Sequence, residues 1–267
     1  STLHALLTRE VSDYARLGTR SDKGKWLQLS TAMLQIENEF YSTIRPKQPI
    51  LSGEAPLCAL QARGIEYIEV RALDVNPYLP LGIDAEQVRF LDAFLLYCLV
   101  QPSGPLCDRE YNETQANLGA VVNQGRLHGL VLQKDQQPVT LNDWARDVTA
   151  GMADICRLLD QVNDSDSYTS ALASQCEKLG NEKLTPSSQI LADMHAEDVP
   201  FFHFAMDQSQ QHADYFLQRP LEEARQQYYH QVAAESIDQR RAIEQTDTPS
   251  FEDFLANYYR QYEEFTV

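Results

Sequence analysis

A carboxylate and a guanidinium two residues apart, Glu69 and Arg71, are the strongest candidates for chemistry in this chain. They sit in the run GIEYIEVRAL, residues 64–73, whose composition predicts a β-strand. Side chains in a strand alternate, so Ile65, Tyr67, Glu69, Arg71 and Leu73 share one face. Glu66, Ile68, Val70 and Ala72 share the other, and Ile68, Val70 and Ala72 are expected to form a core face. Glu69 and Arg71 are then next neighbours, about 6–7 Å apart at Cα. A carboxylate suits a hard cation and a guanidinium suits phosphate oxygens, the pairing that metal–nucleotide chemistry requires. The competing reading is an ion pair on a solvated sheet face, of little energetic consequence.

A second polar face is expected just upstream. In residues 33–47, MLQIENEFYSTIRPK, Leu34, Ile36 and Phe40 alternate on one face, interrupted by Asn38, while Gln35, Glu37, Glu39 and Tyr41 form the other. The chain leaves this strand through Ile44, Arg45, Pro46 and Lys47. Two neighbouring strands with apolar backs and acidic faces predict a sheet whose open face is a site.

The two runs LQIENEFYSTIRPK (34–47) and GIEYIEVRALDVNP (64–77) are long, adjacent and correctly ordered, and they resemble the proteobacterial glutamate–cysteine ligase family. The resemblance extends more weakly through IDAEQVRFLDAFLLYCLV (83–100) and the acidic helical tail. It covers the C-terminal portion of the family's sequence. It implies a glutamine-synthetase-like catalytic sheet, Mg²⁺ or Mn²⁺ as cofactor, ATP as co-substrate, and L-glutamate and L-cysteine as the molecules joined. Residue by residue, it implies that Glu69 is a metal ligand, that Arg71 is the catalytic, phosphate-facing arginine, and that Tyr41 lines the cysteine side of the pocket. Arg45 on the substrate side and Lys47 on the nucleotide side join the site by strand parity or loop proximity, as do Glu37 and Glu39. The family's N-terminal portion supplies further metal-binding glutamates and has no counterpart here. The expected role is therefore part of an ATP-dependent ligase, working with a missing N-terminal part of the same protein and inactive alone. The alternative is a non-catalytic truncated homologue or isolated domain acting as a folding or interaction module.

Composition narrows the partners. With 39 acidic against 22 basic residues the net charge is −17, which disfavours nucleic acid and anionic membranes. The longest apolar run, Phe94–Val100, is far below the length of a membrane span, and no signal pattern opens the sequence. Five scattered cysteines without a CxxC predict reduced thiols and a cytoplasmic setting.

The elements that position the site are read from periodicity. One helix is expected over 2–17 and a short strand at 26–29, followed by the two site strands separated by a loop and a short apolar stretch. Pro77 and Pro80 end the β part, and everything beyond reads as helical. Asp84 is expected to cap a helix carrying Val88, Phe90, Leu91, Phe94, Leu95 and Cys98. Further helices are expected near 111–124, 141–161, 167–179, 186–195, 201–217, 220–245 and 250–264, with Thr140 or Asn142 capping the second of these. The charge-rich 222–245 segment predicts an exposed helix, and Tyr258, Tyr259 and Tyr262 predict packing against the helical bundle. The fold class is α+β, with the catalytic sheet part at 1–82 and a mostly helical subdomain at 83–267.

Overall fold

A computed structural model describes residues 2–246 and 249–264. The fold is α+β: two antiparallel strand pairs within a predominantly helical chain. The chain forms two compact units that do not follow its order. One comprises the residues up to Asp74 together with those from Leu221 onward; the other is Val75–Pro220.

In the first unit, α1 (Thr2–Thr8) and α2 (Ser12–Leu17) replace the single helix expected. The break lies where Glu10 bridges to Ala32 and the Val11 amide donates to the Thr31 carbonyl, so backbone pairing with another segment displaces the helical ladder. At the expected strand 26–29 only an isolated bridge forms, between Arg20 and Trp26.

The site strands differ from expectation in one respect that matters. Residues 34–41 are not a strand: Glu37–Glu39 is a 3₁₀ turn, and β1 occupies only Ile44–Lys47. Side chains here capture the backbone groups that a ladder would use. Gln35 Oε1 accepts from the amides of Leu29 (2.6 Å) and Ser30 (3.0 Å), and Glu39 Oε2 accepts from the Gln35 amide at 2.5 Å. β1 pairs antiparallel with β2 (Tyr67–Val70), matching Ile44 to Val70, Arg45 to Glu69, Pro46 to Ile68 and Lys47 to Tyr67. Between them lies α3 (Pro56–Arg63), which starts with proline at its first turn, where the missing N–H costs nothing. The expected core face is open, with Ile44 52% and Ile68 46% exposed.

The second unit is built on α4 (Ala85–Val100), α5 (Asp108–Gln124), α6 (Leu141–Asn163), α7 (Ser167–Gly180), α8 (Pro186–Glu197) and α9 (Phe201–Leu217). The expected caps form: Asp84 accepts from the Gln87 amide, and Thr140 rather than Asn142 accepts from the Asp143 amide. Ala93, Met152, Cys156 and Leu172 are buried where α4, α6 and α7 meet, ringed by Phe90, Phe94, Tyr97 and Leu159. Gly151 permits the close approach, because a Cβ there would lie 2.7 Å from the Tyr97 ring. Asp160 at the end of α6 is buried and accepts from the amides of Tyr168 and Thr169 and the hydroxyls of Thr169 and Ser165, tying α6 to the start of α7. Burial works to raise its pKa, but these hydrogen bonds outweigh it and hold the carboxyl below its ordinary range.

The all-helical expectation beyond Pro80 fails at one place. β3 (Val131–Lys134) and β4 (Gln137–Thr140) form a hairpin whose two turn residues, Asp135 and Gln136, both have positive φ. That is the tight turn a two-residue hairpin demands. Returning to the first unit, α10 (Glu223–Thr246) is exposed along its length, as its charge predicts, and α11 (Phe251–Glu263) closes the described chain.

Candidate functional site

Parity and register together put five polar side chains on one face of the first unit's strand pair. Arg45 and Lys47 on β1 face the same way as Tyr67 and Glu69 on β2, because directly opposed residues share a face. Arg71 follows β2 on that face, its amide held by the Thr43 carbonyl at 2.8 Å. The same backbone pairing continues at the other end, where the Glu66 amide donates to the Lys47 carbonyl at 2.9 Å.

Glu69 is the centre of this cluster. Arg71 Nε donates to its Oε1 at 2.7 Å, and Lys47 Nζ stands 3.1 Å from Oε2. The lysine contact is off the hydrogen-bonding direction, so Oε2 is shielded yet lacks an aligned donor. The hydrogen bond from Arg71, and after it the Lys47 ammonium, hold the Glu69 carboxyl below the ordinary glutamate range. All three side chains are about one-third exposed. The guanidinium of Arg71 also lies 6.0 Å from the centroid of the Tyr41 ring, which is 69% exposed. Tyr41 thus reaches the site from a loop rather than from a strand.

Glu37 and Glu39 do not join this face. Glu39 turns back onto the Gln35 amide. Glu37 is 2% exposed and points inward, where its Oε1 accepts from the Tyr262 hydroxyl at 2.9 Å and the Leu57 amide at 3.0 Å. Burial pushes its pKa up, opposed by these two donors and by the charge of Arg45. The tyrosines of α11 therefore pack in the first unit with Leu7, Ala55 and Leu57, not against the helical bundle. Tyr259 donates to the Gln35 carbonyl at 2.6 Å, and Gln261 grips the Ala55 amide and the Gly53 carbonyl. Sequence reading missed this contribution of α11. The strongest signal available was three tyrosines at helical spacing, which does not say what they touch.

A divalent cation needs several oxygen ligands, and among the described residues no group of three or more His, Cys, Asp or Glu side chains converges. The donor set here fits one protein ligand: Glu69, whose shielded Oε2 lacks an aligned donor. Arg71, Lys47 and Arg45 add guanidinium and ammonium groups suited to phosphate oxygens. Chemically, the face can hold a polyanion against a cation-bearing carboxylate.

Residues 1–121 match the family model described as glutamate-cysteine ligase. The chain is 43% identical over 257 residues to a glutamate–cysteine ligase of Pseudomonas fluorescens strain Pf0-1, and 44% identical over 257 residues to that of Pseudomonas aeruginosa strain LESB58. Each alignment covers 96% of this chain and 48% of the relative. A crystal structure of the Francisella tularensis glutamate–cysteine ligase in complex with AMP superposes with a TM-score of 0.88 at 30% identity, covering 98% of this chain and 52% of that one. The chain thus spans about half the length of the curated relatives it matches. Among the described residues, no helix is long and apolar enough to cross a membrane.

Proposed function

The chain belongs to the glutamate–cysteine ligase family, and on that premise we propose that it carries part of the site of an ATP-dependent ligase joining L-glutamate, through its γ-carboxylate, to the amine of L-cysteine. The observation that carries this reading is the cluster of Lys47, Glu69 and Arg71 on one face of the β1–β2 pair, with Tyr41 beside it. An oxygen of the glutamate γ-carboxylate attacks the γ-phosphorus of ATP, and the bond from that phosphorus to ADP breaks, leaving γ-glutamyl phosphate. The cysteine nitrogen then attacks the acyl carbon, phosphate departs with the acyl–oxygen bond, and the amine gives up a proton as the amide forms.

Bringing an anionic carboxylate to an anionic phosphoryl group is the difficulty that the residues address. Arg71 presents a planar fork to phosphate oxygens and spreads the charge that builds on them. Lys47 supplies a second positive charge on the same face, and Arg45 a third. Mg²⁺ or Mn²⁺ would supply neutralisation of the phosphate charge. Glu69 is the residue of this chain that would hold it. Tyr41, with its ring near Arg71 and open to solvent, lines the cysteine side.

One carboxylate does not make a complete cation site, so this chain holds a share of it. The remaining carboxylates come from the missing N-terminal part of the protein, in a cytoplasmic setting. The exposed apolar back of the strand pair, Ile44 and Ile68, favours the same division. The test is a coupled ADP-release assay with glutamate, cysteine and Mg–ATP. A polypeptide of the relatives' full length that includes these residues is expected to turn over with cysteine dependence, and the 267-residue chain alone is expected to be inactive. Cysteine-dependent turnover from the chain alone contradicts the shared-site reading, and none from the full-length polypeptide contradicts the ligase reading.

A further inference from the structure

We propose that Tyr262 and Tyr259, near the end of α11, are positioning residues that set where the Tyr41 ring stands beside Arg71. The functional consequence rests on the ligase reading; the placement itself rests on hydrogen bonds within one unit. Tyr41 is mostly exposed, so packing does little to fix it, and its place is set by the backbone on either side. On its C-terminal side the anchor is the strand pair, where the Arg71 amide donates to the Thr43 carbonyl at 2.8 Å. On its N-terminal side the anchor is the 3₁₀ turn Glu37–Glu39. There the Phe40 amide donates to the Glu37 carbonyl at 3.0 Å and the Glu39 amide to the Ile36 carbonyl at 3.2 Å. Tyr41 hangs between these two anchors, and the second lies outside the sheet.

The turn is held from α11. Tyr259 and Tyr262 lie about one helical turn apart and share a face of the helix. The Tyr259 hydroxyl donates to the Gln35 carbonyl at 2.6 Å and the Tyr262 hydroxyl to Glu37 Oε1 at 2.9 Å, so one helix face grips both the approach to the turn and its first residue. The Leu57 amide donates to the same Glu37 oxygen at 3.0 Å, tying the turn before β1 to the helix after it. The helix end is itself fixed, because the buried Tyr262 packs with Leu7 and Ala55. Glu37 is buried, so water does not replace a donor taken from it, and its carboxylate relieves the loss by moving. That movement passes along a short, turn-locked backbone to Tyr41, two residues beyond the turn. Displacements of about 1 Å are enough to change how a site holds its substrate. Neither tyrosine of α11 meets substrate; both act through the turn.

The test uses a polypeptide of the relatives' full length that includes these residues, with two readouts. The first needs no turnover. Tyr41 is replaced by meta-fluorotyrosine, and its fluorine NMR resonance is compared with and without Arg71→Gln. With α11 intact the substitution is expected to shift the resonance, because the guanidinium lies 6.0 Å from the ring centroid. With Tyr262→Phe that Arg71-dependent shift is expected to shrink several-fold. The second readout is steady-state kinetics. Tyr262→Phe is expected to raise the KM for cysteine several-fold and to leave that for ATP within about twofold, and adding Tyr41→Phe is expected to raise the cysteine KM no further. A merely stabilising Tyr262 would lower the melting temperature and move neither the fluorine shift nor the split between the two KM values. Tyr259→Phe is expected to act in the same direction, and it carries the test if Tyr262→Phe does not fold. An Arg71-dependent shift that survives in the folded variants overturns the positioning. Effects of Tyr262→Phe and Tyr41→Phe on the cysteine KM that simply multiply overturn its functional consequence. Absence of turnover in the wild-type polypeptide overturns the ligase reading, and the fluorine readout then decides the positioning by itself.

Discussion

Arg71 Nε donates a 2.7 Å hydrogen bond to Glu69 Oε1, joining the guanidinium and the carboxylate that are proposed here to meet phosphate and cation. The bond fixes the guanidinium plane and leaves its other nitrogens free to be offered to an anion. An exposed ion pair contributes little to stability, so the value of this one lies in orientation.

Replacing Arg71 with lysine separates charge from geometry. Lysine keeps the positive charge and loses the planar fork, so in a polypeptide of the relatives' full length that includes these residues, the proposed ligase kcat is expected to fall about 10²-fold, with a smaller change in the KM for ATP. Steady-state ADP-release kinetics measure both. A lysine variant with the full rate would mean that Arg71 serves only its ion pair with Glu69.

Tyr41 is tested by the removal of one oxygen. Its ring lies 6.0 Å from the Arg71 guanidinium, and the residue is 69% exposed. Tyr41→Phe is expected to raise the KM for cysteine several-fold and to leave that for ATP nearly unchanged. An equal rise for ATP would place the residue on the nucleotide side instead.

Acid stability has an identifiable contributor beside the site. Arg63 donates to both oxygens of Glu54 at 2.7 Å and to the Pro49 carbonyl, closing the loop between β1 and α3. The hydrogen bonds from Arg63, aided by the Leu51 amide, lower the Glu54 pKa to about 2. The folded value lies below the ordinary 4.5, so the stabilisation is complete above that pH and is lost as pH falls toward about 2. Melting temperatures across pH 2–6 are expected to show a shallower acid decline for Glu54→Gln than for wild type. Parallel curves would remove Glu54 from the account.

The helical unit offers a packing test. Met152 is fully buried with Ala93, Cys156 and Leu172. Met152→Ala is expected to cost about 2–5 kcal/mol through lost transfer energy and the cavity left behind. Chemical denaturation followed by circular dichroism measures this, and a cost below about 1 kcal/mol would mean that the helices collapse around the gap.

The helices and their caps were legible in the sequence because their signals are local. Asp84 and Thr140 stand where a side-chain acceptor meets orphan amides, and the apolar residues of α4 and α6 recur with helical spacing. The shared face of Glu69 and Arg71 was equally legible, since strand parity needs no tertiary information. Residues 34–41 misled because the alternation of Leu34, Ile36 and Phe40 imitates a strand, whereas Gln35 and Glu39 spend the local amides on side-chain bonds. The β3–β4 hairpin was missed because Asp135 and Gln136, rather than the usual Asn-Gly, adopt the positive φ values of its turn. Glu37 with Tyr262 was beyond reach, since no periodicity links residues 225 positions apart.

The most direct measurement is the Mg²⁺ dependence of ADP release by Glu69→Gln in a polypeptide of the relatives' full length that includes these residues, with glutamate and cysteine saturating. The substitution keeps the volume and removes the anionic oxygen next to Lys47 and Arg71. The expected result is a loss of turnover of about 10²-fold or more, a raised Mg²⁺ requirement and an almost unchanged melting temperature. Near-normal turnover at low Mg²⁺ would contradict the account, leaving Glu69 as a surface ion-pair partner and nothing more.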